Sequence, residues 1–199
     1  NIAGLSIGIC VFLLVSLYVR YHKSVNQFHE KLPMIYRLEA GFGGITPGPH
    51  YPYLTERIPE IEKGARINPM NGLLTNNSSN NGSKQKGFKS TILLADSAFF
   101  DIFSYNIIKG SLSEVFENER HIILTERLAK KLFNQENPVN KTIEYNTETD
   151  LTVKAIMEDV PVNASVTFDA IMPFNYLCKT YKKGCDDQWY YWAFETYFL

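Results

Sequence analysis

The chain has 199 residues, with 20 Lys and Arg against 21 Asp and Glu, for a formal net charge of −1. That balance excludes the basic footprint of a nucleic-acid binder. Three cysteines are too few for a disulfide scaffold, and the length allows one sizeable domain or two small ones beside a membrane segment.

Residues 2–19, IAGLSIGICVFLLVSLYV, carry no charge and no Pro. The run is close to the roughly 20 apolar residues that cross a hydrocarbon core. Lipid offers backbone groups no water partners, so such a run must be helical. Ala3, Gly4, Ser6 and Gly8 form a small-residue cluster, and Gly4 with Gly8 makes a lone GxxxG pair, a weak sign of helix approach. Cys10 reads as a small apolar residue. Tyr18, Arg20, Tyr21 and Lys23 mark a water interface. A cleaved signal peptide would need a small-residue cleavage site, which YVRYHKS lacks. Asn1 is not a natural start, so a fragment cut within or just before the span is expected.

Residues 20–33 are expected to continue the helix out of the membrane as far as Pro33. His22, Asn26 and His29 then share one face, but two turns between the histidines are too far for one metal ion, even with Glu30. Residues 34–40 alternate as a half-buried strand. The loop GFGGITPGPHYP follows; Gly41, Gly43 and Gly44 lack the helix and lysine of a phosphate cradle, so nucleotide binding is rejected. A short helix is expected at 53–58, ended by Pro59, and a strand at 60–68. Residues 76–87, NNSSNNGSKQKG, are too polar to bury apolar area and read as a mobile loop.

A buried strand is expected at 91–95, then a helix capped by Asp96 or Ser97, with Phe99, Ile102 and Phe103 on its apolar face. Residues 105–109 extend and Gly110 turns. The next strand is 121–124. Thr125 caps the helix ERLAKKLF, with Leu128, Leu132 and Phe133 inward and Glu126 paired to Lys130. Strands follow at 142–145, 151–157 and 166–172. The aromatic tail QWYYWAFETYFL is either a core strand or an exposed partner patch, with core packing favoured. Cys178 and Cys185 flank KTYKKG; an oxidising compartment would let them pair, and two free thiols are the alternative.

The chain has no GxxxxGK[ST], HExxH, GxSxG or CxxC. Glu158-Asp159 and Asp186-Asp187 sit in expected turns, where solvated acids are common. Asn-x-Ser/Thr triplets at Asn77, Asn140 and Asn163 carry no weight in a bacterial protein. No residue is assigned as catalytic, cofactor-binding or metal-ligating, and no cofactor is expected.

Several blocks, in order, carry a resemblance: the span and its exit with SVNQFHE (24–30) and IYRL (35–38), then ADSAFFDIFSYNIIKG, HIILTERLAKKLF, NPVNKTI, LTVKAIMEDVPVNASVTFDAIMPF and terminal TYFL. Together they are similar to the first span and soluble domain of MacB/FtsX-type ABC transporter permeases. Residues 41–90 and the Cys178–Cys185 loop match no pattern. The resemblance implies an α+β fold: a transmembrane helix followed by a two-lobed, mixed α/β MacB-like periplasmic core. The expected division is 1–21 as span, 22–33 as juxtamembrane helix, 34–93 with 158–199 as a membrane-proximal βαβ-type lobe, and 94–157 as an inserted distal lobe.

The implied function is a non-enzymatic permease subunit of the bacterial inner membrane, with its soluble domain in the periplasm. It would couple a partner's ATP hydrolysis to export of a peptide, antibiotic, toxin or lipoprotein. The implied partners are a cytoplasmic ABC ATPase, a second permease copy, a periplasmic adaptor and the bilayer. Arg20, Lys23, Lys31 and Arg37 would alone suggest a cytoplasmic exit, but long domains translocate regardless of such charge. The alternative is a single-span, membrane-anchored sensor or ligand-binding domain. In the family, further spans follow the point where this chain ends.

Overall fold

The computed structural model describes residues 1–40, 43–76 and 87–199; the loop expected over 76–87 lies almost wholly outside them. Helix α1, Ile2–Ser24, stands clear of the rest with no buried residue. Its uniform apolar surface has no protein to cover it, as a lipid-facing helix requires.

The helix stops at Ser24 and does not run to Pro33. Asn26 takes a left-handed backbone, φ 61°, which Asn tolerates better than most residues and which no α-helix can continue through. Successive turns then lead to a 3₁₀ turn at Leu32–Met34 and the short strand β1, Tyr36–Arg37.

The remaining elements follow in chain order. They are β2 Thr46–Pro47, α2 His50–Thr55, β3 Gly64–Thr75, β4 Gly87–Ala95, α3 Phe99–Ile102, β5 Ile107–Gly110, α4 Leu112–Val115 and β6 His121–Thr125. Then come α5 Glu126–Phe133, β7 Thr142–Tyr145, β8 Thr149–Met157, β9 Ala170–Pro173 and β10 Trp192–Phe198. Helix α2 begins a turn earlier than expected because Pro52 fits within a first helical turn, where no N–H is needed.

The strands form one hydrogen-bonded sheet in the order β1-β10-β3-β4-β9-β6-β8-β5, and β7 bridges β3 to β8. That bridge closes β3, β4, β9, β6, β8 and β7 into a ring. Two pairs are parallel, β4 with β9 and β6 with β8; the latter is crossed over by α5. Strand β3 runs past Asn68, where it was expected to end. Pro69 is tolerated because β3 has left β10 at Ile67 and does not meet β7 until Leu74, so no neighbour on that side needs its missing N–H.

Alternation decides the two faces. Ile92, Leu94, Ile122, Leu124, Leu151, Val153 and Met172 point inside the ring, where α5 adds Leu128, Leu132 and Phe133. Ile67, Leu93, Ala95, Ile123, Ala155, Met157 and Ile171 face the other way, against α3, Phe103, Val115, Phe168 and Tyr197. Thr125 caps α5 as expected, accepting the Leu128 N–H at 3.4 Å, and Glu126 meets Lys130 at 2.8 Å. Strand β4 straddles the expected lobe boundary at residue 94, and β9 lies between β4 and β6.

Asp96 does not cap α3, whose cap residue is Ala98. Its carboxylate accepts from Arg66 instead: Nε at 2.8 Å, the second guanidinium nitrogen at 3.0 Å and the backbone N–H at 2.9 Å. The guanidinium lies 4.0 Å from the Phe174 ring centre, and Arg66 is buried. A fixed cation nearby outcompetes the weak dipole of a four-residue helix. In the tail, Phe194, Tyr197 and Phe198 are core, while Trp189 and Tyr190 are exposed. Cys178 and Cys185 form a disulfide within the ring-side core.

Candidate functional site at the joint between helix and body

The last carbonyls of a helix have no partner within it. In α1 the Ser24 carbonyl accepts from Asn163 Nδ2 at 2.6 Å. Two residues on, the Asn26 N–H donates to the Asn163 carbonyl at 3.0 Å. The Asn26 side chain completes the clasp: its Nδ2 donates to Ser165 Oγ and its Oδ1 accepts the Ser165 N–H, each at 2.8 Å. The left-handed turn at Asn26 aims that side chain at the loop 163–165, so the turn that ends the helix also builds the joint.

A second contact lies three residues beyond Asn26. His29 is buried, its ring centre 4.0 Å from that of Phe28, 5.1 Å from Phe103 and 5.3 Å from Tyr105. Its Nδ1 accepts the Ser104 N–H at 3.1 Å, and the Glu30 N–H donates to Ser104 Oγ at 3.0 Å. An acceptor Nδ1 fixes the neutral tautomer with its proton on Nε2. Burial lowers the imidazole pKa from 6.5 to about 4. Lys31 Nζ donates to the Asp101 carbonyl at 2.8 Å. A cavity of about 150 Å³ adjoins this ring, lined by Asn26, His29, Arg37, Phe103, Ser165 and Tyr197 among others. Burial also pushes the Tyr105 and Tyr197 hydroxyls above their ordinary range.

The other residues weighed from the sequence scatter. His22 stays exposed on α1 beside Tyr18 and Tyr21, separated from buried His29. Among the described residues no three His, Cys, Asp or Glu gather as a metal set. Glu158 accepts from Asn106 at 3.1 Å, and Asp159 accepts the Arg127 N–H at 2.8 Å in the first turn of α5. Gly43 and Gly44 take positive φ in a turn, while Gly41 and Asn77 lie outside the described residues. Asn140 accepts from Lys154 Nζ at 2.9 Å. A wider groove of about 620 Å³ between β5 and α5 is lined by Ile108, Lys109, Ala129, Lys130 and Ile156 among others.

The joint places no activated nucleophile or acid–base pair. Its chemistry is mechanical: short hydrogen bonds between residues far apart in sequence that tie a helix end to a folded body. The sequence singles out SVNQFHE but not its partners Ser104 and Ser165, and it marks Asn163 only as part of an Asn-x-Ser triplet. The available signal was Asn26, an Asn interrupting a helical run, which marks a left-handed stop.

The sequence matches the family model described as MacB-like periplasmic core domain over residues 1–196. No curated protein matches it. The fold is similar to a domain assigned to a permease protein of Porphyromonas gingivalis, with TM-score 0.68 and 20% identity over 82% of this chain and 72% of that one. It is also similar to the periplasmic region of MacB from Actinobacillus actinomycetemcomitans, with TM-score 0.59 and 16% identity over 82% and 72% of the two chains. The extracellular domain of the noncanonic ABC-type transporter YknZ from Gram-positive bacteria follows, with TM-score 0.58 and 10% identity over 83% and 81%.

Proposed function

The chain belongs to the family of MacB-like periplasmic core domains, a soluble part of ABC-type transporter permeases, and from that premise we propose that it carries movement of its membrane helix into the body outside the membrane. The observation that supports this is the joint. Between Ser24 and Lys31 nearly every residue is hydrogen-bonded to its own turn or to the body, so a shift of α1 meets no slack linker. A flexible tether would absorb such a shift.

In this reading a cytoplasmic ATPase hydrolyses ATP, α1 moves, and the body acts on cargo outside the membrane. The cargo class is a peptide, antibiotic, toxin or lipoprotein. The location is the bacterial inner membrane, with the body in the periplasm, a second permease copy alongside and a periplasmic adaptor as a further partner. Residues 94–157 as the inserted part and 34–93 with 158–199 as its flanks are then regions of one sheet, and the inserted part reaches back to the joint through Asp101 and Ser104.

The test uses the full-length permease with its ATPase, comparing wild type with the pair Asn26→Ala and Asn163→Ala. Export is expected to fall while ATP hydrolysis persists and the body stays folded. Unchanged export with the clasp removed would overturn the reading.

A further inference from the structure

Val162 is 92% exposed, the highest value among the large apolar residues described. A lone exposed Val is ordinary on a protein surface; its position here is not. Val160-Pro161-Val162-Asn163 lies within the connection 158–169 from β8 to β9, and a hydrogen bond from the Ala164 N–H to the Pro161 carbonyl at 3.0 Å closes a tight turn with Val162 at its corner. The next residue, Asn163, donates to the Ser24 carbonyl at 2.6 Å. The corner is therefore pinned beside the exit of the span.

The depth follows from helix geometry. Ser24 lies five residues beyond Val19, the last of the uncharged run, or about 7.5 Å at 1.5 Å per residue. The headgroup layer of each leaflet is about 5–7 Å thick. Ser24 thus reaches the outer margin of that layer, and the turn it anchors sits against it. Arg20 and Lys23 on the same turns of α1 offer cations to lipid phosphates, and Tyr18 and Tyr21 suit the same layer.

We propose that the turn at Pro161–Ala164 is a second, shallow contact with the bilayer, in which Val162 inserts among lipid headgroups beside the span. It is a foothold: the body touches the membrane at α1 and at this turn, and the clasp at Asn26 lies between the two. The inference rests on reading Ile2–Ser24 as a span. A neighbouring protein helix is the competing occupant, and the experiment separates the two.

The probe is an environment-sensitive fluorophore on a single cysteine of the full chain, in vesicles of phosphatidylcholine and phosphatidylglycerol. The background is Cys10→Ser; Cys178 and Cys185 are bonded to each other and do not label. Labels go at Val162→Cys, at Leu13→Cys within the span, and at Glu148→Cys in the exposed β7–β8 turn at the far end of β3. Some lipids carry a nitroxide quencher near the top of the acyl chain. The label at 162 should be quenched about twofold or more beyond the label at 148, as for a side chain at the interface. Quenching no greater than at 148 overturns the proposal, whether the label reads wet or reads dry under a protein neighbour. If the label at 13 also escapes quenching, the span itself is wrong; if 13 is quenched and 162 is not, only the foothold fails.

Discussion

Acid should loosen the joint through His29. The folded protein holds the imidazole neutral, because burial lowers its pKa from 6.5 to about 4 and its Nδ1 accepts the Ser104 N–H at 3.1 Å. Protonation would face that N–H with another N–H and place a charge among Phe28, Phe103 and Tyr105. The charged groups near the ring are Arg37, which lines the same cavity, and Glu30 and Lys31, which follow His29 in sequence. Between pH 6.5 and 4 the unfolded chain binds more protons than the folded one, so stability rises with pH across that window and falls as the solution is acidified. The full shift corresponds to about 3 kcal/mol at most, and about 2 kcal/mol of it is lost by pH 5. Urea unfolding in detergent, followed by the fluorescence of Trp189 and Trp192, measures it. His29→Asn serves as the reference, since Asn can accept the same N–H without titrating. Between pH 7.5 and pH 5, wild type should lose about 2 kcal/mol more than the variant; carboxylates titrate in both and cancel. Equal losses would refute the assignment of a buried neutral imidazole.

Three further outcomes follow from the packing. Asp96→Ala strands the buried Arg66 guanidinium and should cost about 3–5 kcal/mol, whereas Arg66→Met with Asp96→Leu should cost clearly less; denaturant midpoints of the three proteins decide it. Gly110 has φ +87°, and a Cβ there would stand 2.1 Å from the Lys154 carbonyl oxygen, so Gly110→Ala should pull β5 from β8 and speed amide exchange in β5 above all. Reducing the Cys178–Cys185 bond, whose cysteines are seven apart in sequence, should lower stability by about 2–3 kcal/mol; an unchanged melting midpoint with dithiothreitol would count against it.

Much of the architecture is legible residue by residue because its causes are local. An uncharged apolar run of this length suits a lipid-facing helix, and here no other part of the chain covers it. Period-two alternation in 151–157 and 121–124 marks strands with one buried face, and Thr125 before ERLAKKLF is a cap whose partner lies three residues away. What was misread has a distant cause. Asp96 resembles a cap until Arg66, thirty residues earlier, takes its carboxylate. The strand expected over 166–172 forms only as Ala170–Pro173, because Ser165 is held by Asn26 and Asp169 by Thr91 and Arg127. The aromatic tail divides where β10 begins: Phe194 and Tyr197 are buried on opposite faces of that strand, while Trp189 and Tyr190 precede it and stay exposed.

The sequence by itself determined the membrane helix, the alternating strands and the family, since hydropathy, period and motif order are written along the chain. Only the tertiary structure decided where the helix ends and what grips it. Asn26 meets Ser165 across 139 residues of chain, and Ser104 meets His29 across 75. Such pairings depend on how the ring of strands closes, a property no local window contains, so the joint became visible only when the sheet brought its two sides together.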